Sequence, residues 1–228
     1  FLGIGFETTA PTVAAAIKTA RDRGISNFRV LSAHKLLPPA MNALLSSGDL
    51  GIDGFICPGH VTTIIGTSAY HDIARRYKVP CVVVGFEPVD ILQGILMLVR
   101  QIESGDARVE IQYSRGASPC GNPEALKIMN EVFEPCDSRW RGLGLIEKSG
   151  FSIRPGYEAQ DAAARFDLSV AQAEEPRGCL CAQVLRGTAT PLDCPLFRSL
   201  CTPRKPVGPC MVSTEGTCAA YYKYHSVP

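Results

Sequence analysis

Residues 80–105, PCVVVGFEPVDILQGILMLVRQIESG, decide the fold. Pro80–Phe86 is a short apolar run rich in β-branched residues, the composition of a buried strand. Val89–Ile102 then carries apolar residues at helical spacing, and Ser104-Gly105 closes the helix. The same strand–helix alternation recurs upstream. Phe1–Phe6 reads as a short apolar strand, and Thr12–Arg23 as a helix with Val13, Ala16, Ile17 and Ala20 on one face. Asn27–Leu31 is the next predicted strand, followed by a helix over Pro39–Ser46. Gly54–Cys57 leads into a helix over Val61–Tyr77. Four strand–helix units in a row predict an α/β, Rossmann-like fold, a parallel sheet with flanking helices. Right-handed crossovers then place every strand-to-helix loop on one side of that sheet.

Beyond residue 105 the pattern changes. Pro123–Phe133 reads as a helix with Leu126, Met129, Val132 and Phe133 on one side. Trp140-Arg141-Gly142-Leu143-Gly144 is a turn-rich connection, and Glu158–Phe166 a polar, Ala-rich helical piece. From Arg177 onward short loops with Cys, Pro and Gly take over, as expected where a metal centre replaces much of an apolar core. The predicted organisation is an α/β domain over 1–105, a connecting helical and turn segment over 106–176, and a small cysteine-rich domain over 177–228.

Composition narrows the function classes. The 228 residues are 46% hydrophobic and 20% charged with a net charge of +1, which suits a globular protein with a real core. No basic arm or aromatic-basic interleaving points to nucleic acid. The apolar run Ile91–Val99 is interrupted by Gln93 and Gly94 and is too short to span a bilayer. No signal peptide is visible, and a cytoplasmic location is expected. Phe1-Leu2-Gly3-Ile4-Gly5-Phe6 opens directly on a strand without an initiator Met, so sequence is expected to precede it. Gly3-Ile4-Gly5 lacks the third glycine of a dinucleotide fingerprint, Glu7 would face the phosphates, and no Walker-type phosphate loop occurs; no nucleotide cofactor is expected.

Six of the ten cysteines crowd the end of the chain as C-x-C-x12-C-x6-C-x8-C-x7-C, from Cys179 through Cys181, Cys194, Cys201 and Cys210 to Cys218. A secreted disulfide scaffold would be shorter and would not follow a long α/β segment. Thiolates select zinc, copper(I) or iron–sulfur clusters. Structural zinc usually takes C-x2-4-C pairs, and none occurs here. Cys179-x-Cys181 tends to direct its two side chains apart, which suits one cluster ligand beside one redox-active thiol. Pro and Gly in Cys194-Pro195, Cys201-Thr202-Pro203 and Gly208-Pro209-Cys210 fix turns and let backbone amides approach sulfides. Six thiols with four ligands leave a pair over, an arrangement similar to ferredoxin–thioredoxin reductase. Spacing alone leaves open a cluster and a zinc site that only stabilises an interaction module.

In open parallel sheets ligands bind beyond the carboxyl ends of the strands. Those ends carry Glu7-Thr8-Thr9, Ser32-Ala33-His34, Cys57-Pro58-Gly59-His60 and Glu87-Pro88-Val89-Asp90. Metal-competent groups thus gather at one edge: Glu7, His34, Cys57, His60, Glu87 and Asp90. Each also has an ordinary explanation. Thr8, Thr9 and His60 can cap helices, and Asp90 suits a first helical turn.

Three motifs, Gly5-Phe6-Glu7-Thr8-Thr9-Ala10-Pro11-Thr12, Gly54-Phe55-Ile56-Cys57-Pro58-Gly59-His60-Val61 and Gly85-Phe86-Glu87-Pro88-Val89-Asp90-Ile91-Leu92, resemble the central motifs of the HypD family of hydrogenase maturation proteins. So do Trp140–Gly144, Cys179-Leu180-Cys181, Pro191–Phe197 and the run from Cys201 through Gly208-Pro209-Cys210 to Glu215-Gly216-Thr217-Cys218-Ala219-Ala220-Tyr221-Tyr222. The resemblance implies a factor that assembles the Fe(CN)2CO unit of nickel–iron hydrogenases, working with HypC, which shares the iron, and HypE, which supplies cyanide from a thiocyanate. It implies a 4Fe–4S cluster held by Cys179, Cys194, Cys201 and Cys218, a redox pair Cys181 and Cys210, and a cleft lined by His60, Glu7 and the Cys57 loop where transient iron with its CN and CO ligands is handled. The family's N-terminal domain, with a Gly-Pro-Gly-Cys-Pro-Val-Cys type motif, has no counterpart in these residues. Ala182 stands where the family usually has Gly, and His225-Ser226-Val227-Pro228 is unlike the usual ending. Cys120 and Cys136 have no family role and are expected to be small buried hydrophobes.

Overall fold

A computed structural model describes residues 1–48, 50–168 and 176–225; the last three residues of the unusual tail and 169–175 of the connecting segment lie outside them. The strand within PCVVVGF is β4, Cys81–Val84, and all four of its residues are buried. Its burial follows from its place at the centre of a parallel sheet of three strands. It pairs on one side with β3 (Phe55–Pro58) and on the other with β5 (Val109–Ile111). Helix α5, Pro88–Ser104, packs over β4, setting Leu98, with Ile91 and Met97, against Val82 and Val84. Pro88 starts this helix, Glu87 and Asp90 form its capping box, and Gly105 in the left-handed region ends it.

The first strand, β1 (Leu2–Gly5), pairs in parallel with β2 (Leu31–His34), in register from Leu2 opposite Leu31 to Gly5 opposite His34. The helix between them, α1 (Ala10–Asp22), buries Ala10, Ala14, Ile17 and Ala20. α2 covers Leu37–Ser46. The chain is therefore α/β with parallel sheets and flanking helices, as the alternation predicts. Four details differ. The second strand begins where the expected one ended, because pairing with β1 sets it and Val30 instead bridges to Asp161. The long helix over Val61–Tyr77 is two, α3 (Gly59–Ile65) and α4 (Ser68–Tyr77). Gly66 separates them at φ 72° with the Pro119 carbonyl against its Cα, a backbone state that breaks a helix. The strands join into two parallel sheets, and the three-residue β5 was too short for its pattern to be read.

α6, Pro123–Val132, is capped by the Asn122 side chain accepting from the Ala125 N–H at 3.1 Å. It runs directly into a hairpin, β6 (Phe133–Trp140) and β7 (Gly144–Ile153), around the expected turn at Arg141-Gly142-Leu143. Both strands were missed. The Ala-rich stretch after it forms a 3-10 turn, Pro155–Gln160, and the short α7, Ala162–Arg165. α1, α6 and the hairpin enclose a core of Ile17, Val30, Met129, Val132, Phe133, Phe151 and Tyr157, with Phe133 and Phe151 stacked at 5.3 Å.

The described residues fall into two units. Those of Phe1–Ala43, Asp53–Ser138 and Glu147–Ser169 form the α/β unit, and those of Leu44–Ile52, Arg139–Ile146 and Val170–Pro228 the cysteine-rich unit. The latter contains α8 (Cys181–Leu185), 3-10 turns at Pro191–Asp193 and Pro209–Met211, and α9 (Thr217–Tyr224). Among the described residues no helix is long and apolar enough to cross a membrane.

Candidate metal and redox site

Short turns deliver the thiols of the cysteine-rich unit. Cys181 opens α8, Cys210 sits in the Pro209–Met211 turn, and Cys218 lies in the first turn of α9. Although separated widely in sequence, their sulfurs all lie within 4.8 Å of one another and are buried. The Cys210 N–H donates to the Cys181 sulfur at 3.4 Å. Cys179 and Cys181 both press against Gly208: a Cβ there would lie 2.4 Å from the first sulfur and 2.7 Å from the second. The Val207 N–H donates to the Cys201 sulfur at 3.3 Å. Cys194 follows a turn held by the Asp193 carboxylate, which accepts from the Thr190 N–H at 2.7 Å and its hydroxyl at 2.8 Å; the Cys194 thiol points to the Gly178 carbonyl at 3.8 Å.

These cysteines are the core of the unit. Cys181, Cys201, Cys210 and Cys218 are buried together with Met211 and Ala219, and Cys179, Leu185, Leu196, Phe197 and Val207 pack around them. Mutual contact and burial shift the triad. Cys210 pulls the Cys181 thiol down, but Cys218 and burial outweigh it and push it up to about 12. Contact with Cys181, and burial, push Cys210 up to about 12 despite the opposing pull of Cys218. Cys181 pulls Cys218 down, while Cys210 and burial carry it up to about 12. Neutral thiols crowded in this way gain strongly from a cation that takes their protons' place. The triad can hold a metal or a cluster.

In the α/β unit the predicted edge separates into groups with different partners. Glu7 is buried; its Oε1 accepts from the Leu37 N–H at 2.8 Å, and its Oε2 has no hydrogen-bond partner among the described residues. Burial raises its pKa to about 6. His34 is buried beside Phe133, with Ser32 3.3 Å from Nδ1, and burial lowers its pKa. Cys57 is buried against Cys81, a partner with no sequence signal beyond its residue type; the hydrogen bond between the thiols and burial keep Cys57 protonated. His60 is exposed and packs against Phe86, the rings tilted by 35° with centroids 4.1 Å apart. Asp90 holds the capping box and receives Arg115 at 2.9 and 2.5 Å, and that guanidinium, followed by Gln112, keeps its carboxyl well below the usual range. Glu87 lies 3.7 Å from the same arginine. Cys120 is exposed, contrary to expectation, in the loop between β5 and α6 whose backbone packs on Gly66, and Cys136 is half-buried. Gln112, Tyr113 and Arg115 were missed, since they follow the unread β5.

Comparison with known proteins bears on this arrangement. The family model HypD, described as the hydrogenase formation hypA family, matches residues 1–225. The chain belongs to the HypD family. It is 46% identical over 227 residues to a putative hydrogenase expression/formation protein of Methanocaldococcus jannaschii, covering all of this chain and 63% of that protein. It is 46% identical over 231 residues to the hydrogenase maturation factor HypD of Cupriavidus necator, covering 98% of this chain and 61% of the relative. The HypD of Azotobacter vinelandii is 45% identical over 230 residues, with the same two shares, 98% and 61%. The chain thus spans about three fifths of the length of these relatives.

Proposed function

We propose that this chain is part of a nickel–iron hydrogenase maturation factor, a redox-active iron–sulfur scaffold that assembles the Fe(CN)2CO unit with HypC and HypE in the cytoplasm. The convergence of Cys181, Cys210 and Cys218 within 4.8 Å, in a chain of the HypD family, carries this reading. The donor set fits a 4Fe–4S cluster. It is all sulfur, Cys194, Cys201 and Cys218 are buried, and a backbone N–H already donates to the Cys201 sulfur, as such clusters favour. Cys179, Cys194, Cys201 and Cys218 would hold the cluster, which when bound supplies single electrons at low potential.

Cys181 and Cys210 are then the dithiol. Cleaving an S–CN bond takes two electrons and one proton and yields a thiol and cyanide. Oxidation of two thiols to a disulfide releases two electrons and two protons, so one turnover balances with one proton released. The freed cyanide binds the cargo iron. His60 and Glu7 handle that iron in the α/β unit, and Glu7, with its pKa raised by burial, exchanges a proton near neutrality more readily than an ordinary carboxylate.

A zinc-stabilised interaction module is the second reading, favoured by the closeness of the triad. Zn–S bonds of about 2.3 Å set tetrahedral sulfurs about 3.8 Å apart. Iron, zinc and acid-labile sulfide analysis of anaerobically purified protein separates the two. About four iron and four sulfide per chain are expected; one zinc and no sulfide would replace the scaffold with the module. Cys194→Ala should abolish the cluster, whereas Cys181→Ala should spare it and stop maturation.

A further inference from the structure

We infer that Gln112–Gly116, the turn after β5, is a positioning element for His60 and that Tyr113 is its central residue; its functional half rests on the reading of His60 as an iron-handling group. Three chain segments present a bare Cα to the Tyr113 ring. A Cβ on Gly59, Gly85 or Gly116 would lie 2.7, 2.8 and 2.4 Å from ring carbons. These glycines belong to the start of α3, the end of β4 and the turn itself, so the ring is seated where the carboxyl edges of three strands meet. His60 lies 6.2 Å from Tyr113 and Phe86 lies 6.5 Å from it, both edge-on, while the His60 and Phe86 rings meet at 4.1 Å, tilted by 35°. An imidazole packed against one ring and edge-on to another loses part of its rotational freedom.

A polar clamp holds the seat. Arg115 lies over the Tyr113 ring at 4.7 Å and is gripped by both oxygens of Asp90. Gln112 donates to Asp90 at 2.8 Å and accepts from the Gly85 N–H at 3.2 Å. The Thr63 hydroxyl donates to the Gly116 carbonyl at 2.9 Å, tying in α3. The bonds thus join the turn to the two segments that carry His60 and Phe86. Stability alone gives no reason to gather this clamp around an aromatic group whose phenylalanine is 57% exposed. A fixed imidazole at a ligand-binding edge does, because an ångström of misplacement there costs rate.

The test is proton NMR of the four histidines in the chain with Tyr113→Leu, Tyr113→Phe and Arg115→Gln. Tyr113→Leu should move and broaden the His60 ring signals and leave those of His34, His71 and His225 in place, and Tyr113→Phe should return them. An unmoved His60 in folded Tyr113→Leu overturns the inference. If that variant does not fold, an unmoved His60 in Arg115→Gln does so. In cells, hydrogenase maturation should fall about 10- to 100-fold with Tyr113→Leu and recover with Tyr113→Phe. A displaced His60 with undiminished maturation would also overturn it. Normal maturation with His60→Ala would instead refute the role given to His60, with the NMR result standing.

Discussion

Gly208→Ala isolates the packing of the thiols from backbone effects. Gly208 has φ −89° and ψ 156°, a conformation alanine adopts freely. On the backbone alone the change would therefore stabilise by about 0.4–1 kcal/mol through the unfolded chain. The new methyl, however, would lie 2.4 Å from the Cys179 sulfur and 2.7 Å from the Cys181 sulfur, well inside contact distance. Overpacking of this kind costs about 1–3 kcal/mol, and two simultaneous contacts argue for the upper end. The net expectation is a loss of about 2 kcal/mol, up to 30-fold in the folding equilibrium. A cysteine can escape only by rotating its single side-chain bond, which takes the sulfur out of the group. Denaturant unfolding followed by the fluorescence of Trp140, the one tryptophan in the chain and a member of the cysteine-rich unit, reads the stability. Metal and sulfide analysis reads the second outcome. A Gly208→Ala protein that is as stable as the parent and keeps its full metal content would refute this account of the sulfur packing.

Gly66→Ala should cost on the order of 3 kcal/mol in thermal or denaturant unfolding, because it combines a φ of 72° with a Cβ set 2.3 Å from the Pro119 carbonyl; an unchanged midpoint would disprove the break between α3 and α4. Glu7 retains its proton in the folded chain up to about pH 6 but releases it at 4.5 when unfolded, so stability should fall by about 2 kcal/mol as pH rises between those values. Glu7→Gln should remove that loss, and a pH-independent difference between the two proteins would show Glu7 to be solvated. Asp90→Asn should free Arg115 and speed amide exchange over 112–117, with exchange elsewhere in the α/β unit unchanged. Removing metal with a chelator should unfold the cysteine-rich unit, seen in Trp140 fluorescence, since its core is made largely of thiols.

The sequence by itself determined the kind of protein. Pro80–Phe86, a short β-branched apolar run, and Val89–Ile102, with apolar residues at helical spacing, differ plainly enough that strand and helix follow from local pattern alone, and ordered motifs such as Cys57-Pro58-Gly59-His60 tie the chain to the HypD family. Other elements were out of reach of local pattern. Leu31–His34 is a strand because β1 offers it backbone partners, and Val109–Ile111 because β4 does; three or four residues hold too little periodicity to announce this. Spacing likewise showed that six cysteines crowd one region but not that Cys181, Cys210 and Cys218 meet, since turns fixed by Pro, Gly and capping side chains close those distances. The Tyr113 seat is the clearest case. Nothing in Gln112-Tyr113-Ser114-Arg115-Gly116 marks it, because Gly59 and Gly85 reach the ring only once three strands lie side by side. Contacts between residues far apart in the chain depend on where the backbone goes, and only the tertiary structure decides that.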